Sequence, residues 1–245
     1  MVRSLSAIAA LAALAVMAGD VDARPRRASS KRTAVHRKRH HRARAHRRPN
    51  MPDGWAWPPN REMRAAGRAC EARLDALGVT WKAAPAQKKI GTPIVVPAME
   101  FGGVKAIPTF RKPPFVMDCQ LALALTIHGK ELYARGVREL HFSRIYGYTQ
   151  VRTRGRTLSA LSRHALGLAI DIREIVDDTG HKAVVLGDYL AGDPLLAAVE
   201  QYLNDSGGFR MVLTPRNDPK SHYDHFHVEA RADYAVPTSP TKPRS

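Results

Sequence analysis

The apolar positions of this chain fall into three successive regimes. From Leu5 to Gly19 they run on almost unbroken, and from Arg24 to Arg48 they have no rhythm at all. From about Arg61 onward they fall into the two periods that secondary structure imposes, about 3.6 for helices and 2 for strands. Arg61 to Leu77 has helical spacing, with Ala65, Ala69, Leu74 and Leu77 roughly on one face and a stop at Gly78. Asp118 can cap a helix from Cys119 to about Ala134, ended by Gly136, and Asp193-Pro194 opens another that Gly207-Gly208 ends. Strands are expected at Ile94–Val96, Val104–Ile107, Leu140 toward Tyr146, Leu168–Arg173, Phe209–Leu213 and His225–Ala230, with Arg152 to Arg163 read as a polar, basic loop. Strands dominate the second half and helices flank them without strict alternation, which predicts an α+β fold with a largely antiparallel sheet.

The first two rhythms set the boundaries. Arg3, the apolar run and the small residues Val21-Asp22-Ala23 read as a secretory signal peptide over residues 1–23, too short to span a bilayer. No later stretch is long and apolar enough to span, so the mature chain is expected to be exported, to the periplasm or cell envelope. Residues 24–48 hold twelve Lys/Arg, four His and no acid, so they carry +12 of the formal +17. Such an arm repels itself and buries no core, so it reads as disordered and suited to polyanions through counterion release. In an exported protein an anionic envelope polymer is a better partner for it than a specific nucleic acid. Residues 50–60 form a Pro/Trp joint, residues 61–235 the domain, and residues 236–245 a Pro/Ser/Thr-rich loose tail.

Two cysteines, Cys70 and Cys119, make an even count in an oxidising compartment and predict a disulfide. With no Cys-rich metal motif, any metal must be held by histidine and carboxylate.

Two stretches carry that chemistry: SRHALGLAID (162–171) and SHYDHFHVEA (221–230). Period two places Ala169, Asp171 and Arg173 on one strand face and Leu168, Ile170 and Ile172 on the other, so Asp171 projects from an otherwise apolar strand. Gly167 permits a turn or a close approach, and His164 lies where a loop can fold it back over Asp171. In the last strand His225, His227 and Glu229 share one face. His164, Asp171 and one of His225 or His227 would supply three zinc ligands and leave a fourth position open, as catalytic zinc sites do. His128, His141 and His181 read as structural or surface residues.

SRHALGLAID fits the S-x-H-x-x-G-x-A-x-D pattern of the metallopeptidase group that includes lysostaphin-type and D-Ala-D-Ala-cleaving enzymes and hedgehog, and DHFH fits its second element. More closely, the chain resembles the bacterial extensin-like C-terminal domain family from about Cys70 to Ala230, through SRHALGLAIDI, GYTQVR and FRMVLTPRNDPKSHYDHFHVE. The resemblance implies a hedgehog/D-Ala-D-Ala-peptidase-like fold with His164, Asp171 and His227 as zinc ligands. It places the general-base carboxylate at Asp224, whereas strand alternation favours His225, and both stay open. It also implies that Arg152 can hold a substrate carboxylate. Departures are Val151 and Ser206 where family members often carry two further cysteines, Arg163 in place of the usual acid, and Leu168 in place of a more polar residue.

The expected function is therefore an exported zinc hydrolase cutting an amide in the peptide part of peptidoglycan, as carboxypeptidase or endopeptidase. The alternatives are a non-catalytic zinc-containing envelope-binding module, since a fold does not fix a function, and an envelope protein that works chiefly through its basic arm.

Overall fold

The structure, a computed structural model, describes residues 50–153, 156–232 and 234, without the side chains of 152, 153, 156 and 159. The expected signal peptide, the basic arm and the C-terminal tail lie outside the described residues. The elements run α1 (Arg61–Ala76), β1 (Lys82–Ala83), β2 (Pro93–Val95), β3 (Glu100–Phe101), β4 (Val104–Pro108), β5 (Met117–Asp118), α2 (Cys119–Ala134), β6 (Val137–Arg144), β7 (Gln150–Thr153) and β8 (Arg156–Leu161). A short 3-10 turn over Arg163–Leu166 follows, then β9 (Ala169–Asp177), β10 (Lys182–Val184), α3 (Val185–Ala191), α4 (Pro194–Asp205), β11 (Phe209–Leu213) and β12 (Phe226–Ala230).

The main sheet has the order β11-β12-β9-β6-β4-β3, with β10 pairing the far half of β9. Every pairing in it is antiparallel except β4 with β6. The protein is thus α+β with a mainly antiparallel sheet, as the alternation of the second half predicts. β1, β2 and β5 form a small second sheet, and β7 pairs β8.

Helix α2 is mostly apolar in its first half and buries Cys119, Leu121–Thr126, Gly129 and Leu132. With Leu196, Val199 and Leu203 of α4 it covers the sheet face formed by Ile170, Ile172, Phe226 and Val228, in one core. Burying each such aliphatic side chain contributes about 1.5–3 kcal/mol. The opposite face of β9 and β12 carries Asp171, His227 and Glu229, all buried but polar. A hydrophobic layer on one side of the sheet thus anchors the two strands that bear the site on the other.

Several elements depart from expectation. The buried stripe of α1 is Met63, Gly67, Cys70 and Leu74, while Ala65, Ala69 and Leu77 face solvent. The cause is contact rather than apolarity: a Cβ on Gly67 would meet Thr92 Oγ1 at 2.3 Å, and Cys70 is bonded to Cys119. The expected basic loop from Arg152 is instead the β7–β8 hairpin, whose short strands QVRT and RTLSAL carry too brief an alternation to stand out among their polar and basic residues. The last strand begins at Phe226, not His225. Arg173, which a longer β9–β12 ladder would set opposite His225, pairs through its side chain with Asp224. The hairpin strand β10 and helix α3 add elements that the hydrophobic pattern did not announce.

The joint docks on the domain. Met51, Trp55 and Ala56 pack on a second small core of Met63, Leu166, Leu168, Ala232 and Tyr234, and Tyr234 N–H donates to Asp53 O at 2.8 Å. Asn50 reaches further: its Nδ2 donates to Leu161 O at 2.9 Å and its Oδ1 accepts from Arg210. Among the described residues no helix is long and apolar enough to cross a membrane.

Candidate metal centre and its groove

The loop of SRHALGLAID has a local cause for its shape. Ser162 caps the 3-10 turn, its hydroxyl accepting from His164 N–H, and Gly167 ends the turn at φ +66°. A Cβ on Gly167 would stand 2.7 Å from the backbone nitrogen of Asp118, whose N–H donates to Gly167 O at 3.0 Å. A left-handed glycine seated against the start of α2 thus fixes how His164 folds back over β9.

His164 Nδ1 lies 2.8 Å from Ile145 O, and a carbonyl only accepts, so Nδ1 carries the proton and Nε2 presents a lone pair inward. His227 Nε2 lies 3.1 Å from Glu229 Oε1, which by the same logic leaves Nδ1 facing inward. The register of β9 with β12 sets His227 directly opposite Asp171. The three inward atoms converge: His164 Nε2 to Asp171 Oδ1 3.0 Å, His164 Nε2 to His227 Nδ1 3.0 Å, and His227 Nδ1 to Asp171 Oδ1 2.8 Å. All three residues are 4–6% exposed.

Three buried acceptors so close repel one another unless positive charge stands among them. A proton can supply it. Burial works against a charged His227, yet hydrogen bonds to Asp171 and Glu229 prevail and push its pKa up to about 9. Burial likewise opposes an ionised Asp171, but His164 and His227 hold its carboxyl well below the usual carboxylate range. A metal ion can supply the charge too, and the donor set suits one: two imidazole nitrogens, one carboxylate oxygen, and both outer ring N–H groups already committed. The cluster can hold a metal ion.

The groove above it has a volume of about 690 Å³ and includes Asn50, Arg144, Gln150, Arg210, His222 and His225 in its lining. His225 sits just before β12, its Nε2 3.5 Å from Asp171 Oδ1 and its Nδ1 2.7 Å from Asp224 Oδ1. The other oxygen of Asp224 lies 2.7 Å from Arg173. Burial raises the Asp224 pKa, but His225 and Arg173 outweigh it and keep the carboxyl below its ordinary range. Asp224 therefore stands behind His225 rather than in the groove.

Sequence reasoning undervalued four residues. Glu229, noted only as an available acid, orients His227 and is itself paired with Arg210. His222 holds Asp218 through Nδ1 at 2.9 Å and stacks its ring 5.0 Å from His225 and 5.1 Å from His227. Burial, then the neighbouring imidazoles, lower its pKa and favour the neutral ring. Arg173 and Arg144 were missed. The spacing of SHYDHFH signals His222, whereas the arginines are visible only once strands pair. Arg163 is buried close enough to Glu229 and Asp53 for the charges to interact, and burial first, then Arg210, lowers its pKa to about 10. The side chain of Arg152 lies outside the described part of β7.

His128, His141 and His181 lie elsewhere, each with its own partner: Tyr202, the acids Glu139 and Glu174, and Asp193. The expected disulfide joins Cys70 of α1 to Cys119 at the start of α2.

A family model described as Extensin-like protein C-terminus matches residues 68–237. No curated protein and no solved structure matches the chain.

Proposed function

The chain belongs to the extensin-like C-terminal family, and from that footing we propose that it is an exported zinc-dependent hydrolase of amide bonds in the peptide part of peptidoglycan. The observation that carries this reading is the convergence of His164, Asp171 and His227 on one point at the floor of an open groove. Two nitrogens and one oxygen from protein suit zinc with a position left for reaction. Bound there, zinc supplies Lewis acidity toward water and carbonyl oxygen alike.

The remaining chemistry belongs to the chain. His164 and His227 are held in single tautomers by Ile145 O and Glu229, so their inward nitrogens need no reorganisation. His225 Nε2 lies 3.5 Å from Asp171 Oδ1 without being one of the three inward atoms, and its Nδ1–H is fixed by Asp224. In that tautomer Nε2 can accept a proton from the attacking water and return it to the leaving amine. Asp224, with both oxygens engaged, supports the imidazolium rather than taking the proton itself. The disulfide and the cationic arm fit an oxidising, anionic envelope.

The test is incubation of the purified protein with muropeptides, with mass analysis of products. A new amine and a new carboxylate at one peptide bond support the reading. Zinc bound with no product formed favours the non-catalytic envelope-binding module.

A further inference from the structure

The stretch that matches the family begins at residue 68, yet a residue well before it reaches the rim of the groove. Asn50 lines the groove together with Arg210, Glu229 and His227. We propose that Asn50 is a positioning residue of the metal centre, so that docking of the segment 50–56 and binding of metal strengthen each other. This rests on the metal-binding half of the reading above, not on hydrolysis.

The link is a chain of hydrogen bonds whose directions are all fixed. Asn50 Nδ2 donates to Leu161 O at 2.9 Å, and a carbonyl only accepts, so the amide must turn Oδ1 toward Arg210. Arg210 Nη2 carries two hydrogens and meets two acceptors, Asn50 Oδ1 and Glu229 Oε2. The other oxygen of Glu229 accepts from His227 Nε2 at 3.1 Å, which leaves His227 Nδ1 facing the cluster. Asn50, Arg210, Glu229 and His227 thus join the segment to a ligand without a break. Glu229 and His227 are buried, where a hydrogen bond is strong and a missing partner is costly.

Arg210 needs that second acceptor. Buried Arg163 repels it, while attracting both Glu229 and Asp53 of the segment. Without the Asn50 carbonyl, one side of Arg210 Nη2 is released and Glu229 loses its fixed neighbour. The segment itself is seated by other contacts. Met51, Trp55 and Ala56 pack on the small core, and Tyr234 N–H donates to Asp53 O at 2.8 Å. Asn50 takes φ +75°, a left-handed backbone that asparagine tolerates better than most residues.

The experiment measures zinc affinity of the whole protein by competition with a chelator, for wild type, Asn50→Ala, Glu229→Gln and the double variant. Asn50→Ala should weaken zinc binding roughly three- to tenfold, less than Glu229→Gln because it stands two links further from the ligand. The double variant should bind no more weakly than Glu229→Gln, since the same chain is already cut. Linkage is reciprocal, so zinc should slow amide exchange at Tyr234 by about the same factor in wild type and not in Asn50→Ala. A role in folding alone would lower the thermal midpoint of Asn50→Ala and leave its zinc affinity at the wild-type value. Unchanged zinc affinity in Asn50→Ala, or losses that multiply in the double variant, overturns the proposal. Zinc affinity that tracks Asn50 in a protein that cuts no muropeptide sinks the hydrolase alone. Muropeptide cleavage with zinc affinity indifferent to Asn50 sinks this inference alone, and a wild type that takes up no zinc overturns both.

Discussion

Asp224 and His225 form a fixed pair: Asp224 Oδ1 lies 2.7 Å from His225 Nδ1 while Asp224 Oδ2 lies 2.7 Å from Arg173. The carboxylate is held from two sides and aims the ring at Asp171, whose Oδ1 lies 3.5 Å from His225 Nε2. If the two residues act as one unit, their losses do not add. His225→Ala and Asp224→Ala should each lower kcat roughly 10²- to 10⁴-fold with zinc retained. The double variant should be no slower than the slower single. Multiplied losses in the double variant would mean that Asp224 acts independently, as the carboxylate base that the family pattern suggests.

Glu229 reaches the candidate metal centre through His227, whose Nε2–H it accepts at 3.1 Å. Glu229→Gln keeps an acceptor but removes the charge that makes the imidazole a better donor to a metal. Zinc affinity, read by competition with a chelator, should fall roughly 10- to 100-fold. An unchanged affinity would remove Glu229 from the account.

Gly167 is required twice, for φ +66° and for the 2.7 Å between a built Cβ and Asp118 N. A left-handed conformation costs a residue with a side chain roughly 1–2 kcal/mol, and relieving the contact must shift the turn that bears His164. Gly167→Ala should lower the denaturation midpoint by an amount equivalent to about 2 kcal/mol or more, and weaken zinc binding with it. A midpoint equal to wild type would show that the turn has slack.

Asp118 lies buried under the N-terminus of α2, and burial raises its carboxyl to about 6 against the hydrogen bonds from Gln120, Thr92, Tyr234 and Gly91. A carboxyl raised in the folded state above its ordinary value of 3.8 contributes stability that is present below that value. The contribution is lost as pH rises through about 6, because only the folded state holds the proton across that window. Asp171, Asp224 and Glu229 are shifted the other way, so a reference is needed that keeps them. Between pH 4 and 7 wild type should lose roughly 1–3 kcal/mol relative to Asp118→Asn in denaturant melts. Parallel pH curves for the two proteins would contradict this.

Much of the site was legible because strand alternation is a strong local signal. It placed Asp171 and His227 on faces that the β9–β12 register then sets opposite each other. The caps at Asp118 and Asp193 were equally local, and the side chain of each accepts from the helix backbone. What stayed hidden depends on partners distant in the chain. The placement of Asp224 and His225 depends on where β12 begins, and the ion pair from Arg173 of β9 holds Asp224 where the ladder stops. Arg144 was invisible until β6 lay against β9. The face of α1 was misjudged because Gly67 and Cys70 are seated by close approach and a covalent bond, neither of which an apolar count registers.

The most direct test of the account is the zinc content of the purified protein beside that of its Asp171→Ala variant, both confirmed folded by circular dichroism. The account predicts about one zinc per wild-type chain and none in the variant, since Asp171 supplies the carboxylate to which both inward imidazole nitrogens are drawn. A wild-type protein that takes up no zinc, or a variant that holds it as tightly, would leave His164, Asp171 and His227 as a buried hydrogen-bonded triad and nothing more.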